Sequence, residues 1–584
     1  MVTVYNAVAN RFFPLDQSII ERMRKFSYTQ ALSVRLSRVS FLLAVLLVGC
    51  APAPSLGPGY TAGPIENQLM AEIALQRGEY LVSAQQYLNL AQQSDDPTFA
   101  QRATQVAYDY GYDAYALAGA ERWVELAPDD RAAQNYLGRM YVRRNDLDKA
   151  WDTLNIALGP VEERSNSDYT TLSSELAESS DPHRGLRLFQ RFDEEFPGVA
   201  GITGSLMGLA ADSGDLDVAI SAARETMALA PEWPGTRVWL ARFLLAAGDR
   251  SSAFEQMAFA LEMDPGLNRE LDFIQLLSMA DEHVDALERL ERLESRYPGS
   301  PELLRARALI FLQTDDLASA QADFMRLLSD AYFVNECFWY MGQIALRQGD
   351  YLQAIRYFGR VNSGPWLVAG RLSTSQAYLG LGDPDSALQT LRDFAAAYPK
   401  KAFDTLLPRA EILAATGRRD DALATIDVAL EYKPWNAELW LFRGGLYEQA
   451  GDFEQAIKSF RRAIELAPDS ATALNALGYT LTVTTRKYSD AYVLISSAME
   501  LEPENPAIMD SMGWVLFKQG KLEESRIWLQ RAYELFPDAE IAAHLGELSW
   551  SEGDQDGAIL IWMDALQGDP ENRVLNETIN RFMK

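Results

Sequence analysis

AELWLFRGGLYEQAGDFEQAIKSFRRAIELAPDS, residues 437–470, decides how the chain is read. Apolar and small residues recur at helical spacing on both sides of Gly451, so the stretch is two helices joined by a tight turn. Gly444 and Ala456 are small where the two helices must approach, and Trp440, Tyr447 and Phe460 are large enough to fill the space between them. Pro468 ends the second helix, because proline cannot continue one.

The same punctuation recurs outward from this stretch. Units start near 64, 97, 131, 166, 200, 234, 267, 301, 335, 368, 403, 437, 471, 506 and 539, at intervals of 33 to 35 residues. The terminal proline returns at Pro128, Pro197, Pro231, Pro265, Pro298, Pro399, Pro434, Pro503, Pro537 and Pro570. The small residue opening the second helix returns at Ala150, Ala219, Ala253, Ala286, Ala320, Ala354, Ala387, Ala422 and Ala558. Trp440, Gly444, Tyr447, Gly451, Ala456, Phe460, Ala463 and Pro468 resemble the tetratricopeptide signature, with Arg443 standing where a leucine is usual. The resemblance implies an all-α, right-handed superhelical solenoid of about fifteen helix pairs over residues 64–572. A capping helix over 573–584 would cover the last pair. Units from about 335 onward match best, and those near 64, 166 and 267 match mainly in their second helix. One extra residue near Thr484 to Lys487 falls in an inter-helix turn.

Ahead of the repeats, FLLAVLLV at 41–48 is too short to span a bilayer and follows Arg35 and Arg38, the arrangement of a signal peptide. It runs into Leu47-Val48-Gly49-Cys50, which resembles the bacterial lipobox. That resemblance implies a signal over residues 1–49, with the true start at Met23, cut before Cys50, whose thiol carries lipid. Ala51 in the next position implies the periplasmic face of the outer membrane. Residues 51–63, APAPSLGPGYTAG, are too rich in Pro and Gly for a helix and read as a tether.

Charge excludes one large class of partners. With 82 Asp and Glu against 53 Lys and Arg, the formal net charge is −29, and no basic face is available for nucleic acid. Two cysteines, one of them Cys50, make no disulfide framework, and Cys337 reads as a small apolar residue on a helix. His183, His283 and His544 fall in separate repeats. No HExxH, paired CxxC, Walker-type loop or GxSxG occurs, so neither metal, cofactor nor catalytic centre is expected. Asp315-Asp316, Asp420-Asp421 and Glu523-Glu524 are expected at turns or on solvated faces.

An array of this kind binds proteins along its inner face. By resemblance to the family, positions 2, 5, 9, 12 and 13 of each first helix line that groove. Here those positions hold Trp339, Asn475, Tyr479, Trp514, Phe517 and Trp550, candidate anchors for a peptide, with core packing as the competing role. Leader, lipobox and array together resemble outer-membrane tetratricopeptide lipoproteins. The segment from Asp510 to Trp550 looks like the member that acts as adaptor for a periplasmic carboxyl-terminal processing protease, a serine protease, and its cell-wall hydrolase substrates. The alternative within the class is a scaffold for polysaccharide export or pilus assembly.

Overall fold

In the computed structural model, residues 64–179 and 182–583 are described. Every regular element among them is a helix, apart from turns. Cys50, the apolar leader and the tether lie outside the described residues. Thirty of the helices form fifteen consecutive hairpins, from Pro64–Gln76 with Tyr80–Gln93 to Ala539–Ser551 with Gln555–Gly568. A final helix, Arg573–Phe582, follows them. In each hairpin the first member is called helix A here and the second helix B.

The turns explain why the hairpins form where they do. Helix A of the 437 pair ends at Gly451, whose φ of +78° is a left-handed conformation that a side chain would strain. The next residue, Asp452, accepts a hydrogen bond from the Gln455 amide and caps helix B. Asp215, Asp249, Asp316, Asp350, Asp383 and Asp554 cap their B helices in the same way. Asn436, Ser470, Asn505 and Asp538 cap the A helices of the later pairs. The extra residue of the 471 pair lies in the turn between Thr484 and Tyr488.

Inside a hairpin, one close approach recurs. A Cβ added to Gly444 would clash with the Phe460 ring, and one on Gly546 with the Trp562 indole. Phe460 and Trp562 are buried against these bare stretches of helix A. Burial of such rings is the main favourable term in each pair.

By contacts the described chain divides into two units, residues 64–405 and Leu406–Lys584. In the second, Ala471, Leu474, Leu477, Ile495, Ile508, Met512 and Leu516 form one continuous core through successive pairs. Arg573–Phe582 packs on the last pair in a separate cluster, with Leu575 and Phe582 against Trp550 and Trp562. The first unit has apolar clusters of its own, such as the one holding Ala308, Phe324, Cys337 and Met341. Cys337 is fully buried there as a free thiol, and burial pushes its pKa up to about 12, so it is inert rather than reactive.

Candidate functional site

Five successive A helices of the second unit share one wall, and a cleft opens in it with about 80 Å³ of free space. Glu411 comes from Leu406–Ala415, and Leu441, Phe442, Leu446 and Glu448 from Ala437–Ala450. Asn475, Ala476 and Tyr479 come from Ala471–Thr484, Asp510 and Ser511 from Pro506–Lys518. Glu540 and Ile541 come from Ala539–Ser551, with Asp538 at that helix's N-cap. Helical spacing makes this possible: Asn475 and Tyr479 are four apart, as are Leu441 and Gly445, so each pair stands one above the other on a single face.

The wall is acidic, and most of its carboxylates are buried. Burial, reinforced by Glu438, raises Glu411 to about 7. Burial also raises Glu448 to about 7, although Thr480 Oγ1 donates a hydrogen bond to it at 2.8 Å. Asp538 is raised by burial as well. The Tyr479 hydroxyl donates to Glu540 Oε1 at 2.7 Å, and its own pKa is driven well above the usual value by burial and that carboxylate. His544 Nδ1 lies 2.9 Å from both oxygens of Asp510. Burial opposes its protonation, but Asp510 overrides burial and holds its pKa above the usual value. One polar atom of the wall has no partner: the side-chain oxygen of Asn475, a residue only 5% exposed.

The six aromatic and amide candidates are distributed unevenly. Asn475 and Tyr479 line the cleft. Trp514 is 5% exposed, stacked on His544 at 4.0 Å and on Phe517 at 5.2 Å, with the Lys518 ammonium 3.9 Å from its ring. Trp550 packs with Trp562 and Phe582 at the carboxyl-terminal end. Trp339 belongs to the first unit and packs on Trp366 at 4.8 Å. The acids Glu411, Glu448, Asp510 and Glu540 were not among the sequence candidates. They occupy positions 9, 12, 5 and 2 of their A helices, so reading the groove positions for carboxylates as well as aromatics would have found them.

Of the other polar features, Asp316 caps a helix, and Asp420, Asp421, Glu523 and Glu524 are exposed in first turns, as expected of solvated pairs. Among the described residues, no group of three or more His, Cys, Asp or Glu could hold a metal ion. No described helix is long and apolar enough to cross a membrane.

Comparison with known proteins bears on the repeat itself. The tetratricopeptide repeat model matches residues 372–434, 407–471, 443–491 and 511–573. A TPR repeat-containing protein of Pseudomonas aeruginosa is 29% identical over 483 residues, covering 82% of this chain and 81% of the relative. The TPR repeat-containing protein YpiA of Bacillus subtilis is 23% identical over 350 residues, 53% of this chain and 82% of its own. Among solved structures, a tetratricopeptide repeat protein from Parabacteroides merdae aligns with a TM-score of 0.36 at 17% identity, over 43% of this chain and 99% of its own. Cut9, in the APC/C Cut9–Hcn1 complex, aligns with a TM-score of 0.35 at 15% identity, over 89% and 96%. Residues 372–491 and 511–573 thus match the tetratricopeptide repeat, a scaffold for protein–protein interaction, and the chain is similar over most of its length to a relative that contains the same repeat.

Proposed function

We propose that this protein is a lipid-anchored scaffold that assembles a periplasmic complex on the outer membrane, bringing substrates to a carboxyl-terminal processing protease. The observation that carries the binding role is the cleft in the second unit. Five A helices contribute to it, and the side-chain oxygen of Asn475 is held there without a partner. A buried acceptor left unpaired costs stability, about 1–3 kcal/mol, and a donor from a bound partner would satisfy it. Anchoring is supported by the basic, apolar and Leu47-to-Cys50 sequence ahead of a Pro/Gly-rich tether. The resemblance of residues 510–550 supports the protease as partner.

Affinity purification of the full-length protein from detergent-solubilised envelopes tests the assignment. A serine protease of the carboxyl-terminal processing class in the eluate supports it. A secretin or export porin in its place transfers the protein to an export or assembly machine. The anchor is tested separately with Cys50→Ala. Labelled palmitate should enter the native protein and not the variant, and equal labelling of both would sink the lipoprotein assignment.

A further inference from the structure

The cleft of the second unit is chemically one-sided. Its wall carries five carboxylates, Glu411, Glu448, Asp510, Asp538 and Glu540, and the unpartnered oxygen of Asn475. Its hydroxyl donors are already engaged: Tyr479 donates to Glu540, and Ser511 donates to the Ala507 carbonyl at 3.0 Å. A ligand that completes the Asn475 oxygen must bring an N–H donor, and the acidic wall favours a donor that carries positive charge. Apart from the Gln449 amide, the remaining lining, including Leu441, Phe442, Leu446, Ala476 and Ile541, is apolar, which suits a charged head on a hydrocarbon stem. Free space of about 80 Å³ suits a small head rather than a bulky side chain.

We infer that the cleft takes a protonated primary amine carried on an extended peptide, with Asn475 accepting one of its N–H groups and Glu448 supplying charge. An ammonium has three donors and no acceptor, which is the complement of this wall. A lysine side chain and a free peptide amino terminus share that chemistry. The inference rests on the binding role proposed above and specifies what the partner must offer.

Protonation adds an independent signature. Glu411 and Glu448 are both raised to about 7 by burial, so near neutral pH a fraction of each carries a proton. An entering ammonium favours the ionised forms, and binding releases protons. The other titratable groups lining the cleft are Tyr479, Asp510, Asp538 and Glu540, with Glu438 acting on Glu411 and His544 bonded to Asp510 beside them. Of these, His544 has its pKa raised by Asp510 against the effect of burial, and its charged form works against a second cation nearby.

The test is calorimetric titration of the full-length protein with three probes. The first is the pentapeptide Gly-Ala-Lys-Ala-Gly with its amino terminus acetylated. The second is its twin with an Nε-acetylated lysine. The third has norleucine for lysine and a free amino terminus. Binding by the first or third probe, with at least a tenfold loss for the second, supports the inference and says which amine is read. Proton release, seen as heats that vary with buffer ionisation enthalpy between pH 6 and 8, is the second expected result. Glu448→Gln and Asn475→Leu should each weaken the binding probe tenfold or more. Glu448→Gln keeps the shape and removes a buried charge, so it should fold at least as well as the native chain. Equal binding of the acetylated twin, or native affinity in Glu448→Gln, overturns the inference. Capture of the same envelope proteins by native protein and both variants, with no peptide binding by any, overturns it while leaving the scaffold intact.

Discussion

The last two A helices and the A helix at Leu267–Met279 use the same fold in opposite ways. In Pro506–Lys518 every residue from Ile508 to Leu516 is buried, and in Ala539–Ser551 every residue from Ala539 to Ser549 is. In Leu267–Met279 only Ile274, Leu276, Leu277 and Ser278 are buried. The middle repeats make up the difference with charge between neighbouring A helices. Arg242 pairs with Asp272 at 3.1 Å, Arg305 with Glu336 at 2.7 Å, and Arg139 with Glu175 at 3.4 Å. In the second unit the corresponding A-to-A contacts include Asp510 to His544 and Thr480 to Glu448, set in apolar packing. The hairpin fixes the geometry, while the A-helix surface decides whether neighbours are joined by apolar burial or by ion pairs. A helix buried all round must be apolar or internally satisfied all round, and the buried polar groups of the second unit's A helices are mostly paired, the Asn475 oxygen and the Trp514 indole N–H excepted.

The largest effect that could break this comparison is at Trp562, fully buried between Gly546, Trp550 and Phe582. Trp562→Ala should destabilise the carboxyl-terminal pairs by about 3–5 kcal/mol, the scale for buried aromatic truncation. Faster hydrogen exchange confined to 506–584 should report it, since repeat arrays unfold locally. Trp514→Ala should approach that scale, given its stack on His544. Unchanged exchange with weakened partner binding would instead give Trp514 to recognition.

Next in size is a pH effect confined to the second unit. Glu411 and Glu448 have folded values near 7, above their unfolded value of 4.5. Folding therefore favours their protonated forms, and stability falls as pH rises from about 4.5 through about 7. The cost is on the order of 3 kcal/mol for each once both forms are ionised. His544 acts in the same direction, since its raised value makes its contribution complete at low pH and lost as pH rises through it. The second unit should resist urea better at pH 5 than at pH 8, and Glu448→Gln should remove part of that slope. A flat profile from 5 to 8 would mean the cleft is wetter than its packing indicates.

Gly444→Ala is smaller. Its methyl would meet the Phe460 ring, an overpacking penalty of about 1–3 kcal/mol. Phe460→Leu in the same chain should recover part of the loss, and a shortfall in that recovery would place the strain in the backbone rather than the ring.

What could be read beforehand follows from the same physics. Gly451, Asp452 and Pro468 act through local backbone chemistry, so the hairpins and their spacing were visible in sequence. The site was legible by position but not by residue type. Asn475 and Tyr479 were found because amide and aromatic anchors were sought at groove positions. Glu448 and Asp510 occupy the same kind of position and were passed over, since a carboxylate on an acidic helical surface reads as solvated. Their burial depends on neighbouring repeats, and no local pattern encodes it. Trp514 and Trp550 show the converse. Their positions were right for a groove, yet His544 and the helix Arg573–Phe582 pack against them.

The smallest effect is the sharpest test of the contrast between units. Arg242 pairs with Asp272, donates to Gln275 Oε1 at 2.8 Å and lies 5.0 Å from the Trp239 ring centre, so Arg242→Ala alone removes three interactions. A double-mutant cycle with Asp272→Ala isolates the ion pair. Both side chains are about one-fifth exposed, so solvent screens the pair and the coupling should be only about 0.5–1 kcal/mol. Asp272 is also held by Arg269, which keeps the carboxylate partly satisfied in the single variant and lowers the coupling further. Raising salt from about 0.05 M to 0.5 M shortens the screening length several-fold and should shrink the coupling toward zero. The same salt change should leave the protection of 506–584 intact, because apolar burial is not screened. If the coupling survives high salt, the middle repeats are joined by desolvated charge rather than by surface pairs. The two units would then differ in residue type but not in how water is excluded between neighbouring A helices.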